Sequence, residues 1–453
     1  MSFAANVDTE GAFAPKAPVT APKTDHERNS VMNRYTRRSI LKGAAAALPA
    51  AGIFALPSLA RAIQENSTPQ QRPKVKITDI RTAQVIVHGP QTHVRVYTDS
   101  GLYGQGESTD AAVGTASLVH GFRRMLVGQD PLNVDALWER MRVQGIFAGA
   151  QGGQYVTAMT GVEIALWDLA GKILGLPVYQ LLGGKFRDKI RMYCDSDMDN
   201  PIGAESDRKL PWIKEQGFTA MKIDLDDYAD PARFDKVNWT ASNGEIDRMV
   251  SWVKHVRESI PKEMDLACDM HGRYDATTGK RVAVALEPYR LLWLEEPVPP
   301  EDIDAMADIR HSTTTPICCG ENLYMRWGYT ELLQKRAADI IMPDIQKVGG
   351  LSEARKIANM AQAYYVPFAP HCVVSPIGTM ASAHVCVTIP NYLVCEWHWI
   401  NHLEVWKTFI QEGEIIIKGY VTPPDKPGLG VEMNEEVAKT VQIPGTTWFE
   451  PNK

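Results

Sequence analysis

Between Leu266 and Trp397 one pattern recurs: a short apolar run that ends in a charged residue. The runs close on Asp269 with His271, then on Glu295, Glu321, Asp344, His371 and Glu396. From Asp269 the intervals are 26, 26, 23, 27 and 25 residues, each about the length of a strand, a loop and a helix. So regular a step predicts successive βα units. In a parallel barrel the C-terminal ends of the strands open onto one face, and a site there draws on several strands. The residue that closes each run is therefore expected to point into one shared pocket.

Asp269, Glu295 and Glu321 would bring three anionic carboxylates together, and these repel one another unless a cation sits between them. Hard oxygen ligands with room left for water favour Mg2+. Taken singly, each acid reads as a loop carboxylate or a helix N-cap. The shared spacing is what argues for a common role.

With 453 residues, the chain exceeds a single domain, whereas an α/β barrel uses about 250. A barrel with a smaller companion fits. A hydrophobic fraction of 44%, a charged fraction of 23% and a net charge of -6 give no basic bias toward nucleic acid. The seven cysteines show no metal-finger spacing and mostly fall in the apolar runs, so they read as small buried hydrophobes.

Residues 1–32, rich in Ala, Pro, Thr and charge, carry no periodic apolar pattern and are expected to be disordered. Residues 33–62 hold Thr36-Arg37-Arg38-Ser39, an Ala/Leu/Ile-rich run and Ala60-Arg61-Ala62. A basic flank, a short apolar core and an A-x-A site are the parts of a twin-arginine export signal cleaved after Ala62, with Met32 as an alternative start. The mature protein is then expected in the periplasm, with no membrane span.

From Lys76 to Glu107 two alternating runs, a Ser100-Gly101 turn and LYGQGES read as an antiparallel hairpin or meander. Residues 111–183 show helical spacing, with a stop and restart at Gly175-Leu176-Pro177. An α+β domain over 74–185 therefore precedes the barrel, assigned to 186–400, with a C-terminal segment over 401–453. The Gly-rich stretch from Gln144 to Tyr155 reads either as a plain solvent loop or as a mobile lid, whose Phe147 and Tyr155 are then candidates to touch substrate.

Carried by GVEIALWDLAGKILGLPVYQLLGG (161–184), AMKIDL (220–225), CDMHGRYD (268–275), LEEP (294–297), PDIQKVGGLSEA (343–354), PHCVVSPIG (370–378) and Glu396, the chain resembles the mandelate racemase branch of the enolase superfamily. The resemblance implies a (β/α)7β modified TIM barrel, an N-terminal α+β capping domain, a C-terminal segment returning to the cap, and one Mg2+. It implies Asp269, Glu295 and Glu321 as metal ligands, chosen over Glu296, an Asp344–His371 dyad, and Glu396 as the last-strand acid that hydrogen-bonds the substrate carboxylate. Homo-oligomers are common in the family.

The chemistry this implies begins with a weakly acidic proton beside a carboxylate. A cation on the carboxylate stabilises the charge that develops, and a base must reach the carbon. His371 suits the base, with Asp344 fixing its tautomer. The Asp269-x-His271 pattern resembles galactonate and mannonate-type dehydratases and gives His271 the role of acid at the departing 3-hydroxyl. Arg273 either holds substrate or forms a salt bridge. Lys222-Ile223-Asp224 departs from the KxK of racemases in the branch. Asp224 is expected at the metal edge or a substrate hydroxyl, with Lys222 neutralising it.

The reading is a Mg2+-dependent dehydratase that turns a small-molecule acid sugar into a 2-keto-3-deoxy acid. The alternatives are an epimerase or racemase, or a cycloisomerase of an anhydro-sugar acid or lactone, on the same scaffold, and a non-catalytic sugar-acid sensor.

Overall fold

The structure is a computed structural model that describes residues 72–109, 114–198, 200–226, 235, 237–400 and 402–451. The extension over 1–32 and the export signal over 33–62 lie outside the described residues. Strands β1 (Ile77–Ile86), β2 (Pro90–Thr98) and β3 (Tyr103–Ser108) form an antiparallel meander. Helices α1 (Thr115–Leu126), α2 (Val134–Gln144) and α3 (Gly153–Leu174) complete the cap. The alternate glycines of β3 admit α3. A Cβ on Gly104 would lie 2.0 Å from the Ala165 carbonyl oxygen, and one on Gly106 2.2 Å from that of Gly161. Only glycine allows backbone to approach backbone so closely. Gly175, at φ 70°, ends α3 in a left-handed cap, and the chain restarts after Pro177 as α4 (Val178–Leu181).

The barrel then alternates strand and helix. Its first half is β4 (Ile190–Asp195), α5 (Ala204–Glu215), β5 (Ala220–Asp224), α6 (Asn243–Ser259), β6 (Asp265–Asp269), α7 (Ala276–Ala285) and β7 (Leu294–Glu295). The second is α8 (Ile303–His311), β8 (Ile317–Cys319), α9 (Met325–Gln334), β9 (Ile340–Ile341), α10 (Leu351–Ala363), α11 (Pro376–Cys386) and β10 (Cys395–His398). Strands β4 to β9 pair in parallel in chain order, and β10 pairs in parallel with β4. Parallel bridges from Phe368 to Ile341 and to Tyr392 supply the stave between β9 and β10 and close the ring. This is the (β/α)7β barrel with an N-terminal α+β cap.

Past α12 (Leu403–Thr408), β11 (Tyr420–Val421) adds antiparallel to β4. The chain continues through α13 (Glu435–Thr440) to the cap, where the amides of Ile443 and Phe449 reach the carbonyls of Gln84 and Thr82, each at 2.9 Å. All seven cysteines are buried free thiols. Among the described residues no helix is long and apolar enough to cross a membrane.

Candidate active site

Short strands that stop where a charged side chain begins put those charges at one mouth. Asp195 ends β4, Asp224 ends β5, Asp269 ends β6 and Glu295 ends β7, while Glu321 follows β8 by two residues. Asp344 follows β9, His371 follows the Phe368 stave and Glu396 lies in β10.

Lys222, on β5, sits in the middle of this ring. Its Nζ donates to Asp269 Oδ2 at 2.8 Å and Glu295 Oε2 at 3.1 Å, and lies 3.2 Å from Asp195 Oδ2 and from Glu396 Oε1. Burial alone would make the lysine less basic, but Asp269, Glu295 and Glu396 outweigh it and hold the ammonium well above its ordinary range. Its ion pairs are with these four carboxylates, and it acts on Asp224 only through its charge. Asp224 is buried, and its Oδ1 has no hydrogen-bond partner.

His371 and His271 share one arrangement. His371 Nδ1 lies 2.7 Å from Asp344 Oδ2, and its Nε2 lies 2.9 Å from Glu321 Oε2 and 3.7 Å from Glu396 Oε2. His271 Nδ1 lies 2.9 Å from Asp226 Oδ1, and its Nε2 lies 3.7 Å from Asp269 Oδ2. Each imidazole is thus backed by a buried aspartate and turned toward one end of the Asp269–Glu295–Glu321 row. Burial opposes protonation of both. The carboxylates Glu321 and Glu396 nevertheless raise His371 well above the usual histidine range, and Asp269 and Asp226 carry His271 up to about 11. His271 holds a left-handed backbone, φ 48°, and its amide donates to Asp269 Oδ1 at 2.7 Å, which fixes the turn between the two residues.

Burial, with the charges of Asp269 and Glu321 nearby, pushes Glu295 well above the ordinary carboxylate range despite Lys222. Its Oε1 is buried with no hydrogen-bond partner. Three acidic oxygens in a row, one of them orphaned, fit a hard cation better than they fit the lysine alone. Glu296 is committed elsewhere, its Oε1 accepting from the Gly320 amide at 3.2 Å and its Oε2 from Asn322 Nδ2 at 2.8 Å. Among the described residues the ligand atoms that gather within 4.8 Å of one another are those of Asp224, Asp269 and His271, so the most compact corner lies on the His271 side, and Glu295 and Glu321 of the set expected from the sequence stand outside it.

Of the other residues singled out from sequence, Arg273 donates to Asp226 and so forms a salt bridge beside His271. Tyr155 is not brought to the mouth. It is buried in the cap against Phe122, and its hydroxyl donates to the Met141 carbonyl at 3.0 Å. Phe147 is fully exposed on the short turn Ile146–Ala148. The same loop meets the barrel at Tyr324, since a Cβ on Gly152 would lie 3.3 Å from that ring. Asp195 and Asp226 were missed in the sequence. Asp195 obeys the same rule as the others, closing the apolar run IRMYCD, and Asp226 lies two residues beyond Asp224.

Comparison with known proteins agrees with this fold. The N-terminal domain of the mandelate racemase / muconate lactonizing enzyme family matches residues 63–183, and the enolase C-terminal domain-like family matches residues 207–437. The D-xylonate dehydratase of Haloferax volcanii is 41% identical over 378 residues, covering 83% of this chain and 91% of that one. The D-galactonate dehydratase of Pectobacterium atrosepticum is 33% identical, covering 79% and 92%. A mandelate racemase/muconate lactonizing enzyme-like protein from Rubrobacter xylanophilus superposes with a TM-score of 0.79 at 42% identity, over 83% of this chain and 99% of that one. An enolase from Agrobacterium radiobacter, solved with Na and L-malate bound, superposes with a TM-score of 0.74 at 29% identity, over 83% and 98%. The chain belongs to the mandelate racemase / muconate lactonizing enzyme family of the enolase superfamily.

Proposed function

We propose that this enzyme is a Mg2+-dependent dehydratase of a sugar acid, with a five-carbon aldonate such as D-xylonate as the first substrate to test. The family and its dehydratase relatives make it a hydro-lyase. The observation that carries the finer reading is the pair of aspartate-backed imidazoles facing opposite ends of one carboxylate row. A base and an acid on either side of a bound carboxylate are what elimination of water requires.

Asp269, Glu295 and Glu321 would hold the Mg2+, which supplies stabilisation of the negative charge developing on the substrate carboxylate. His371, whose Nε2 lies against Glu321 in this structure, takes the proton from C2 with Glu321 engaged by the cation, and Asp344 at its Nδ1 fixes the tautomer and supports the imidazolium that forms. Glu396, held by the Cys372 amide at 2.9 Å, faces the same imidazole and bounds the substrate on that side. Across the row, His271 gives a proton to the departing 3-hydroxyl, with Asp226 steadying its Nδ1. Water leaves, and the enol product becomes the 2-keto-3-deoxy acid. Lys222 is fully engaged with four carboxylates, which disfavours a lysine-based racemase.

The test is incubation of the purified enzyme with Mg2+ and, separately, D-xylonate, D-galactonate and galactarate, followed by assay of the 2-keto acid. Keto acid formed with Mg2+ and abolished by chelation supports the reading. Exchange of the C2 proton without keto acid would favour epimerisation instead. Export to the periplasm and a homo-oligomeric state are part of the same proposal. Cell fractionation and light scattering check them.

A further inference from the structure

The base and its supporting aspartate arrive on different loops, and the cap grips both. On the Asp344 side, Thr160 Oγ1 accepts from the Gly349 amide at 2.9 Å, while Glu163 accepts from the amides of Leu351 and Ser352 at 2.8 and 2.9 Å. On the His371 side the grip comes from the end of β3. Glu107 accepts the Ser375 amide on Oε1 at 2.9 Å and the Gly378 amide on Oε2 at 2.9 Å, together with the Ser375 hydroxyl. Thr109 Oγ1 donates to the Val373 carbonyl at 2.7 Å. Residues 373–378 are thus tied to the cap just after the base.

This grip leads on to the dyad. The Gly378 carbonyl accepts from Gln346 Nε2 at 2.9 Å, and the Gln346 amide donates to Asp344 Oδ1 at 2.8 Å. Asp344 in turn meets His371. Position 378 must be glycine for the contact to exist, because a Cβ there would lie 2.9 Å from Glu107 Oε2 and 2.8 Å from Val374. Glu107 is fully buried, with no charged partner among the described residues. A carboxylate kept in such a place for stability alone is costly to bury, whereas two amides and a hydroxyl in fixed directions make it a rigid clamp.

We propose that Glu107 is a positioning residue for the base, a cap side chain that fixes the loop from His371 to Gly378 and, through Gln346, the Asp344 partner. The proposal rests on His371 being the base. The cap then supplies part of the catalytic geometry without touching substrate, and small displacements of a base are expensive in rate.

The experiment compares the wild-type enzyme with Glu107→Gln and with the milder Ser375→Ala. Amide hydrogen exchange is read by mass spectrometry over 368–380, alongside kcat and KM on whichever sugar acid the wild type dehydrates and Mg2+ binding by calorimetry. In Glu107→Gln, exchange over 368–380 is expected to quicken about tenfold or more while the start of α10 stays protected. The same variant is expected to lose about a hundredfold in kcat, with KM and Mg2+ affinity close to wild type. Ser375→Ala should move both readouts in the same direction by less, and it carries the test if Glu107→Gln does not fold. Unchanged exchange over 368–380, or a loss of activity that follows KM and Mg2+ affinity with exchange raised along the whole chain, would overturn it. If the wild type dehydrates none of the acids, the functional reading fails by itself, and the exchange comparison still decides whether Glu107 holds this loop.

Discussion

Nζ of Lys222 stands 2.8 Å from Oδ2 of Asp269, buried in a ring of carboxylates that also includes Asp195, Glu295 and Glu396. This lysine shares the positive charge at the ring with the imidazoles of His271 and His371, and it is the one in contact with four of the carboxylates. Removing one partner of a buried charge network typically costs about 3–5 kcal/mol, because the remaining charges are left uncompensated. Lys222→Met is therefore expected to lower the thermal midpoint of the metal-free protein, and Mg2+ to restore more of it than it adds to wild type. Thermal unfolding with and without Mg2+ measures both. A variant as stable as wild type without metal would show that the ring is neutralised by other means.

Glu295 and Glu296 are adjacent in sequence but differently committed. Glu295 Oε1 is buried without a partner, and both oxygens of Glu296 are held by Gly320 and Asn322. Glu295→Gln is expected to weaken Mg2+ binding by more than about a hundredfold, and Glu296→Gln to leave it near wild type. Calorimetric titration of each metal-free protein decides, and equal losses would mean that Glu296 belongs to the metal site.

Far from the mouth, His384 joins three parts of the fold. Its Nδ1 accepts the Tyr179 amide at 3.0 Å, and its Nε2 donates to the Leu429 carbonyl at 3.1 Å. Burial lowers it to about 4, so it stays neutral in the folded protein. A depressed value in the fold means that the unfolded chain binds the proton first. Its contribution is therefore present above pH 6.5 and is lost as the pH falls toward about 4, on the order of 3 kcal/mol. Buried Glu107 and Glu163, each raised to about 7 chiefly by burial, act in the opposite sense, losing stability as the pH rises from 4.5 to about 7. The comparison must therefore be between variants. His384→Gln, which keeps both hydrogen-bonding roles, should flatten the acid limb of urea unfolding midpoints between pH 7 and 4.5. An acid limb as steep as wild type would assign it to other groups.

The barrel was legible because its strands stop at charged residues at a near-constant interval, and that interval is a property of the βα unit itself. Gly175 before Pro177 marked the helix break for a similarly local reason. Side-chain partners were not legible in the same way. That Lys222 would reach across the mouth to Glu396 instead of to its neighbour Asp224 depends on how the ring closes, which no local pattern encodes. Tyr155 read as a lid residue because it ends a Gly-rich loop, yet it is the first apolar anchor of α3 and turns into the cap. Glu107 gave no signal, since its partners lie 268 and 271 residues away.

The central claim is that His371 removes the C2 proton and His271 assists the departure of the 3-hydroxyl. It is tested most directly by following C2 proton exchange in deuterated water together with keto-acid formation, for wild type, His371→Asn and His271→Asn with Mg2+ and the sugar acid that the wild type dehydrates. The account predicts that His371→Asn loses both, and that His271→Asn still exchanges the C2 proton while forming little keto acid. Wild-type exchange in His371→Asn, or full keto-acid formation in His271→Asn, would contradict it.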